Sequence, residues 1–149
     1  MTATFLHTMV RITDPERSRA FYEALGFRFA RDLDIVRNGE KEATNYFFSL
    51  GDHHNFAVME AGGGEGGAAD GAAGLHHVAF KIGDTLDELR EAKAKLEAAG
   101  VMPAPIDHEV TKSLYFADPD GNGVELYVDA SDVWKRDPQR VAQIAPLAL

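Results

Sequence analysis

Two histidines and one glutamate combine residue type and spacing in a way that favours metal binding. His7 stands near the start of the segment LHTMVRI, and His77 stands at an offset of 70 in LHHVAFKI, so each imidazole lies ahead of a short apolar run. Glu125 is the acidic residue within the apolar segment VELYV. Two imidazoles and one carboxylate with open coordination positions form the ligand set of non-haem Fe(II) sites, and Mn(II) also fits it. We therefore predict His7, His77 and Glu125 as metal ligands.

Strand geometry decides which side chains accompany these three. Side chains alternate between the two faces of a strand, so His77 shares a face with Lys81, and Glu125 shares one with Tyr127. The residues between them are apolar and suit packing beneath a helix. His76 falls on that helix-packed face, where we interpret it as structural or as a support for His77. Two curved sheets that face each other would bring the three predicted ligands together.

A glycine-rich segment divides the chain into two similar halves. Residues 61–74 read AGGGEGGAADGAAG, a composition typical of a flexible linker. Residues 4–60 and 75–130 each predict one strand, one helix and three further strands. Because a single βαβββ unit buries only one face of its sheet, two units must pack together to form a domain. Residues 131–149 form a tail that we expect to pack on the domain or on a partner chain.

The predicted helices have clear start and stop signals. Asp14-Pro15 supplies a capping residue followed by proline, and Gly26 ends the first helix. Asp84 or Thr85 caps the second helix, which ends at Gly100. Strands are predicted at 5–12, 27–34, 43–50, 55–59, 75–82, 102–106, 112–117 and 124–129.

Composition limits the classes of function. The 149 residues, 45% of them hydrophobic, suffice for one domain with a core. The chain has no cysteine, which excludes disulfides and thiolate chemistry. A net charge of -9 disfavours nucleic-acid binding. No run reaches transmembrane length and no signal peptide is recognisable, so we predict a soluble cytoplasmic protein with neither nucleic acid nor membrane as a partner.

The motifs resemble a known superfamily. FLHTMVRITDPERSRAFYEALGF and ATNYFFSL are most similar to glyoxalase I, whereas GLHHVAFKI and DHEVTKSLYFADPDGNGVELYVD are most similar to extradiol dioxygenases of the catechol 2,3-dioxygenase type. Together they resemble the vicinal oxygen chelate superfamily over residues 4–130. The resemblance implies an α+β fold in which two βαβββ modules pair into a cup-shaped, half-open mixed sheet around a divalent metal. It further implies one such domain over 1–149, with His7, His77 and Glu125 at ligand positions common to both families.

The fourth ligand position separates the two families. Glyoxalase I fills it with a second carboxylate from the first module, whereas extradiol enzymes leave it open for substrate and dioxygen. A gapless match of FFSLGDHHNFAVME to YFADPDGNGVELYV aligns Ala57 with Glu125. Glu60 lies three residues further on and thus on the opposite strand face, unless a bulge rotates it inward. This pattern favours three protein ligands.

Three further residues resemble catalytic positions of the extradiol enzymes. His54 matches a histidine near the metal, and His108 and Tyr115 resemble the histidine and tyrosine beside bound catechol. The resemblance implies an Fe(II) dioxygenase that cleaves a catechol-like aromatic diol with dioxygen. In it His54 acts as base, His108 donates a proton and Tyr115 hydrogen-bonds the substrate. For His54, in the turn GDHH, a solvated loop residue is the alternative.

Two other functions stay open. The first is a glyoxalase I-like lyase that uses Zn(II) or Ni(II) with Glu60 as a fourth ligand and base. The second is a small-molecule binding or resistance protein that holds a planar compound and performs no chemistry. We expect a homodimer, and a linker of this length permits the modules to pair within one chain or across two.

Overall fold

The structure is a computed structural model that describes residues 8–49, 56–60, 75–137, 140 and 143–149. The chain divides into two compact units, Met1–Gly74 with Pro119–Asn122, and Leu75–Asp118 with Gly123–Leu149. Each unit contains a mixed β-sheet and an α-helix. The predicted α+β class with mixed sheets is therefore confirmed. The predicted linker, residues 61–74, lies outside the described residues.

The first unit follows the predicted order of elements. Its strands form a sheet of order β1-β4-β3-β2, in which β1 and β4 run parallel and the other pairs run antiparallel. The helix contacts β2 and β4. The elements are β1 (Thr8–Ile12), α1 (Pro15–Ala24), β2 (Arg28–Arg37), β3 (Glu40–Ser49) and β4 (Phe56–Glu60).

The second unit repeats this arrangement and adds an edge strand. Its sheet has the order β5-β8-β7-β6-β9, again with one parallel pair, β5 and β8. The added strand β9 pairs antiparallel with β6 and was not predicted, because two residues that include a proline show no alternation. The elements are β5 (Val78–Gly83), α2 (Leu86–Ala98), β6 (Ala104–Asp107), β7 (Thr111–Ala117), β8 (Gly123–Asp129), a 3₁₀ turn (Val133–Lys135) and β9 (Ala145–Pro146).

The strand register makes positions of the two sheets equivalent. In the first sheet Ala57 pairs with Met9 on β1 and with Phe47 on β3. In the second sheet Glu125 pairs with Ala79 on β5 and with Tyr115 on β7. Backbone pairing thus matches Ala57 to Glu125, as the gapless sequence match does.

Both helices begin and end as their sequences predict. Asp14 accepts a hydrogen bond from the Arg17 amide at 3.0 Å, and Pro15 occupies the first turn of α1. Thr85 and Glu88 form a reciprocal capping box at the start of α2. Each helix is followed by a glycine with positive φ, Gly26 and Gly100.

The cores of the two units differ in composition. The first is aromatic, with Tyr22 fully buried and its ring centroid 4.7 Å from that of Phe56. The second is aliphatic and includes Leu89, Leu96, Leu114, Leu126 and Val128, all at most 1% exposed. Neither α-helix in the described parts of the chain is both long and apolar enough to cross a membrane.

Candidate metal centre

Several predicted site residues lie outside the described residues. These are His7 and His54, and the side chain of Glu60 is likewise not described. Within residues 8–49, 56–60, 75–137, 140 and 143–149, no group of three or more histidine or carboxylate side chains is placed to share an ion. The roles of His7 and His54 stay predictions. The backbone pairs of β4 show no register shift between Phe56 and Glu60, so none of these pairs forms the bulge that would rotate position 60.

His77 and Glu125 lie in contact within the second unit. The Nε2 atom of His77 is 3.1 Å from the Oε2 atom of Glu125, whose side chain is 9% exposed. Glu125 is the third residue of β8, and His77 immediately precedes β5. The predicted strand at 75–82 thus begins later, at Val78, because pairing with β8 begins at Val124. The structure brings together two of the three predicted ligands.

A glycine at the start of β8 allows this contact. A Cβ atom built at Gly123 would lie 2.2 Å from the carbonyl oxygen of His76 and 3.1 Å from the Cβ atom of His77. No larger residue fits there without moving the backbone. Gly123 therefore lets the segment before β5 pass close to β8, which places His77 beside Glu125.

The donor pair fits a divalent cation. Metal–nitrogen and metal–oxygen bonds of about 2.1 Å, placed at right angles on one ion, separate the two donor atoms by about 3.0 Å. The observed Nε2–Oε2 distance of 3.1 Å agrees with that value. The same contact is an ordinary histidine–carboxylate hydrogen bond when no ion is bound, so the pair suits both states.

His76 contacts the other ring nitrogen of His77. The two Nδ1 atoms are 2.7 Å apart, so one of them donates and the other accepts. When His77 donates from Nδ1, its Nε2 atom carries no proton and is available as a ligand. His76 itself is exposed and precedes β5, and the expectation that it packs beneath the helix is wrong.

Tyr115 lies across the strand pair from Glu125. The edge of its ring meets the ring of His77, with centroids 5.3 Å apart and planes at 86°. Burial raises the pKa of Tyr115 to about 12, and the negative charge of Glu125 acts in the same direction. The hydroxyl therefore keeps its proton at neutral pH and can donate a hydrogen bond.

His108 extends this group on the far side of Tyr115. Its Nε2 atom is 3.0 Å from the Tyr115 hydroxyl, and its Nδ1 atom is 2.7 Å from the main-chain carbonyl of Gln143. His77 thus contacts both Glu125 and the Tyr115 ring, and Tyr115 in turn contacts His108, so the four side chains form one cluster. Sequence analysis missed the contribution of Gln143, because a main-chain carbonyl leaves no signal in residue type.

Comparison with known proteins identifies related sequences of two kinds. Residues 4–126 match the family described as Glyoxalase/Bleomycin resistance protein/Dioxygenase superfamily. The chain is 36% identical over 132 residues to biphenyl-2,3-diol 1,2-dioxygenase 2 of Rhodococcus globerulus, covering 87% of this chain and 65% of that protein. It is 31% identical over 131 residues to a probable lactoylglutathione lyase of Synechocystis, covering 85% and 95%. The chain thus spans less than two thirds of the dioxygenase.

Solved structures share the fold. A glyoxylase/bleomycin resistance protein/dioxygenase domain from Frankia superposes with a TM-score of 0.71 at 17% identity, covering 87% of this chain and all of that one. The fosfomycin resistance protein FosX from Listeria monocytogenes, in complex with Mn(II) and sulfate, superposes with a TM-score of 0.64 at 21% identity, covering 87% and 95%. At these identities the likeness concerns the fold alone.

Proposed function

The chain belongs to the glyoxalase/bleomycin resistance protein/dioxygenase superfamily, and from that premise we propose that it is an extradiol-type dioxygenase. Its substrate in this proposal is a catechol-like aromatic diol, which it cleaves with dioxygen. In this proposal His7, His77 and Glu125 would hold the metal, Fe(II). The observation that supports the proposal is the cluster in which His77 contacts Glu125 and Tyr115, and Tyr115 contacts His108. The similarity to the Rhodococcus dioxygenase supports it.

Each described side chain has a task in this proposal. When bound, the metal would supply Lewis acidity that lowers the pKa of adjacent diol hydroxyls, and as Fe(II) it would relay electrons from the diol to dioxygen. Tyr115 offers a hydroxyl proton to an oxygen of the substrate, and His108 exchanges a proton at Nε2. His54 would remove the remaining diol proton. His76 keeps the ring of His77 oriented.

The second candidate is a glyoxalase I-like lyase. It is favoured by one observation, namely that the chain spans 95% of the Synechocystis lactoylglutathione lyase but 65% of the Rhodococcus dioxygenase. It is disfavoured by the strand register, which gives Ala57 the position equivalent to Glu125. Alanine offers no ligand atom, and position 60 falls on the opposite face of the strand from position 57. The backbone therefore gives no support for a carboxylate as a fourth metal ligand.

Metal content and substrate chemistry test the proposal together. Protein purified without oxygen and reconstituted with Fe(II) is mixed with 2,3-dihydroxybiphenyl or catechol in an oxygen electrode. We expect one dioxygen consumed per diol and a coloured ring-cleavage product. Hydroquinone is the matched control, because its two hydroxyls are not adjacent and cannot chelate one ion.

Other outcomes point elsewhere. Thiol-dependent turnover of methylglyoxal with Ni(II) or Zn(II), and no oxygen uptake, supports the lyase and contradicts the dioxygenase. Failure to bind any divalent metal, together with tight binding of a planar compound, leaves a binding or resistance protein.

A further inference from the structure

The C-terminal segment reaches back to the loop that carries His108. Arg140 and residues 143–147 are here called the C-terminal clamp. Strand β9 of the clamp pairs with β6, with Ala145 opposite Asp107 and Pro146 opposite Ile106. The Leu147 amide donates to the carbonyl of Pro105 at 3.3 Å. The clamp is thus joined to the strand that ends directly before His108.

The loop that presents His108 has an unusual backbone conformation. Glu109 adopts a φ of 67°, in the left-handed region that disfavours residues with a side chain. Its amide donates to the Asp107 carboxylate at 2.6 Å, and Lys112 pairs with the same carboxylate. Arg140 of the clamp donates from Nε to the carboxylate of Glu109 at 3.1 Å. The clamp therefore holds this loop from both sides of His108.

The clamp also determines the proton position on the His108 ring. A carbonyl oxygen can only accept, so the 2.7 Å contact to Gln143 requires a proton on Nδ1. In the neutral ring Nε2 then carries no proton, and this is the atom 3.0 Å from the Tyr115 hydroxyl. Any proton that His108 gains or gives is consequently exchanged at Nε2, facing Tyr115.

From these contacts we infer that the C-terminal clamp is a positioning element of the active site that fixes His108 in its Nδ1–H tautomer. The inference deepens the proposed dioxygenase function and rests on it for the catalytic role of His108. The contact itself is independent of which reaction the site performs. The Gln143 side chain takes no part, because its main-chain oxygen makes the bond.

Ring ¹⁵N chemical shifts of the 149-residue chain test the tautomer directly. Two-bond ¹H–¹⁵N correlation spectra distinguish Nδ1–H from Nε2–H, and His108→Gln assigns the signals. At a pH at which the ring is neutral, we expect His108 to show a protonated Nδ1 and an unprotonated Nε2. An Nε2–H signal for His108 in the 149-residue chain overturns the inference, whatever the activity.

Two variants test the dependence on the clamp. A chain that ends at residue 142 should lose the Nδ1–H pattern and lower kcat by about 100-fold with little change in KM, since positioned acid–base groups contribute at least on this scale. A chain that ends at residue 147 keeps the whole clamp, so it is the matched control and should retain both the tautomer and kcat. If the truncated chain folds and His108 keeps the same tautomer, the inference that the clamp fixes the tautomer is wrong.

If the proposed dioxygenase function is wrong, the same experiments give a different combination of results. In that case catechol turnover is absent while the tautomer and its loss on truncation persist. If the chain that ends at residue 142 does not fold, the spectra of the 149-residue chain and of the chain that ends at residue 147 still decide the inference.

Discussion

The two β-sheets share a strand order and a register but differ in the side chains placed on that common frame. Position 57 of the first sheet is alanine, whereas the equivalent position 125 of the second is glutamate. Across the neighbouring strand pair, Phe47 corresponds to Tyr115. Each sheet keeps apolar residues on its helix-packed face, since Val58 and Leu126 are both at most 1% exposed.

This difference shows which face of a repeated unit is free to diverge. Residues beneath the helix must stay apolar and close-packed, because any change of volume there costs stability. On the opposite face, position 57 holds a buried alanine and position 125 a buried glutamate, so this face accommodates a polar group. The second sheet has acquired the contacts among His77, Glu125 and Tyr115, whereas the first sheet presents alanine and phenylalanine at the positions equivalent to Glu125 and Tyr115.

The largest effect is expected on metal affinity, when the Glu125 carboxylate of the second sheet is removed. Glu125→Gln keeps the shape of the side chain but removes the charge of the proposed ligand, and we expect at least about 100-fold weaker binding of divalent metal. Titration calorimetry with Mn(II) or Fe(II) measures the change. Asp129→Asn on the same strand is the control, because Asp129 pairs with Lys81 at 2.8 Å. Equal metal affinity in wild type and Glu125→Gln would show that the carboxylate is structural.

Exchanging the two equivalent aromatic residues, Tyr115 and Phe47, tests whether the second sheet alone contributes to catalysis. Tyr115→Phe removes the hydroxyl between His108 and Glu125, and we expect kcat for diol cleavage to fall by about 100-fold, as for other positioned hydrogen-bond donors. Phe47→Tyr adds a hydroxyl at the equivalent position and should leave kcat unchanged. Steady-state kinetics on both variants measure the effect. If both variants lower kcat alike, the two sheets contribute equally and the distinction between them is wrong.

The residues at the N-termini of the two helices donate hydrogen bonds to different carboxylates, and the contribution of such a carboxylate to stability depends on pH. Glu88 caps α2 from within its own first turn, whereas Asp120, 6% exposed, accepts at the start of α1 from Thr13, Arg17 and Ser18. Burial tends to raise the pKa of Asp120, but the hydrogen bonds from Thr13 and Ser18 and the charge of Arg17 outweigh it and lower the pKa.

Because its pKa is lowered on folding, Asp120 stabilises the protein above its unfolded pKa, and the contribution disappears as pH falls through the folded value. Asp120→Asn should therefore reduce the free energy of unfolding by about 2 kcal/mol at pH 7. The difference from wild type should shrink below about pH 4. Urea denaturation at several pH values measures it, with Glu88→Gln expected to cost less. A difference that grows on acidification contradicts this account.

The smallest effect is expected on the free energy of unfolding, when a buried amide side chain of the first sheet is replaced. Asn45 is 8% exposed, and its Oδ1 atom has no hydrogen-bond partner in the part of the chain that the structure describes. Asn45→Leu removes the unsatisfied acceptor and should raise the free energy of unfolding by about 1 kcal/mol. Ser113 is the equivalent residue of the second sheet and contacts Thr111 at 3.5 Å, so Ser113→Ala should bring no such gain. A loss of stability in Asn45→Leu would indicate a bound partner.

Much of the fold follows from local pattern. Alternating apolar residues and turn formers predicted eight of the nine described strands, and capping residues and glycines predicted both helices to within one or two positions. The weak strand predicted at 102–106 appears as β6 at Ala104–Asp107. Strand β9 was missed, because its pairing with β6 depends on a contact about forty residues away and on no periodicity of its own.

By itself the sequence determined the repeated order of elements, the helix boundaries and the residue types able to bind a metal, because these depend on neighbours along the chain. Tertiary structure alone decided that His77 lies 3.1 Å from Glu125, that Gly123 leaves room for that approach, and that a carbonyl at Gln143 meets His108. Such contacts join residues that are distant in sequence, and they depend on strand register and backbone direction, which residue types do not encode one by one.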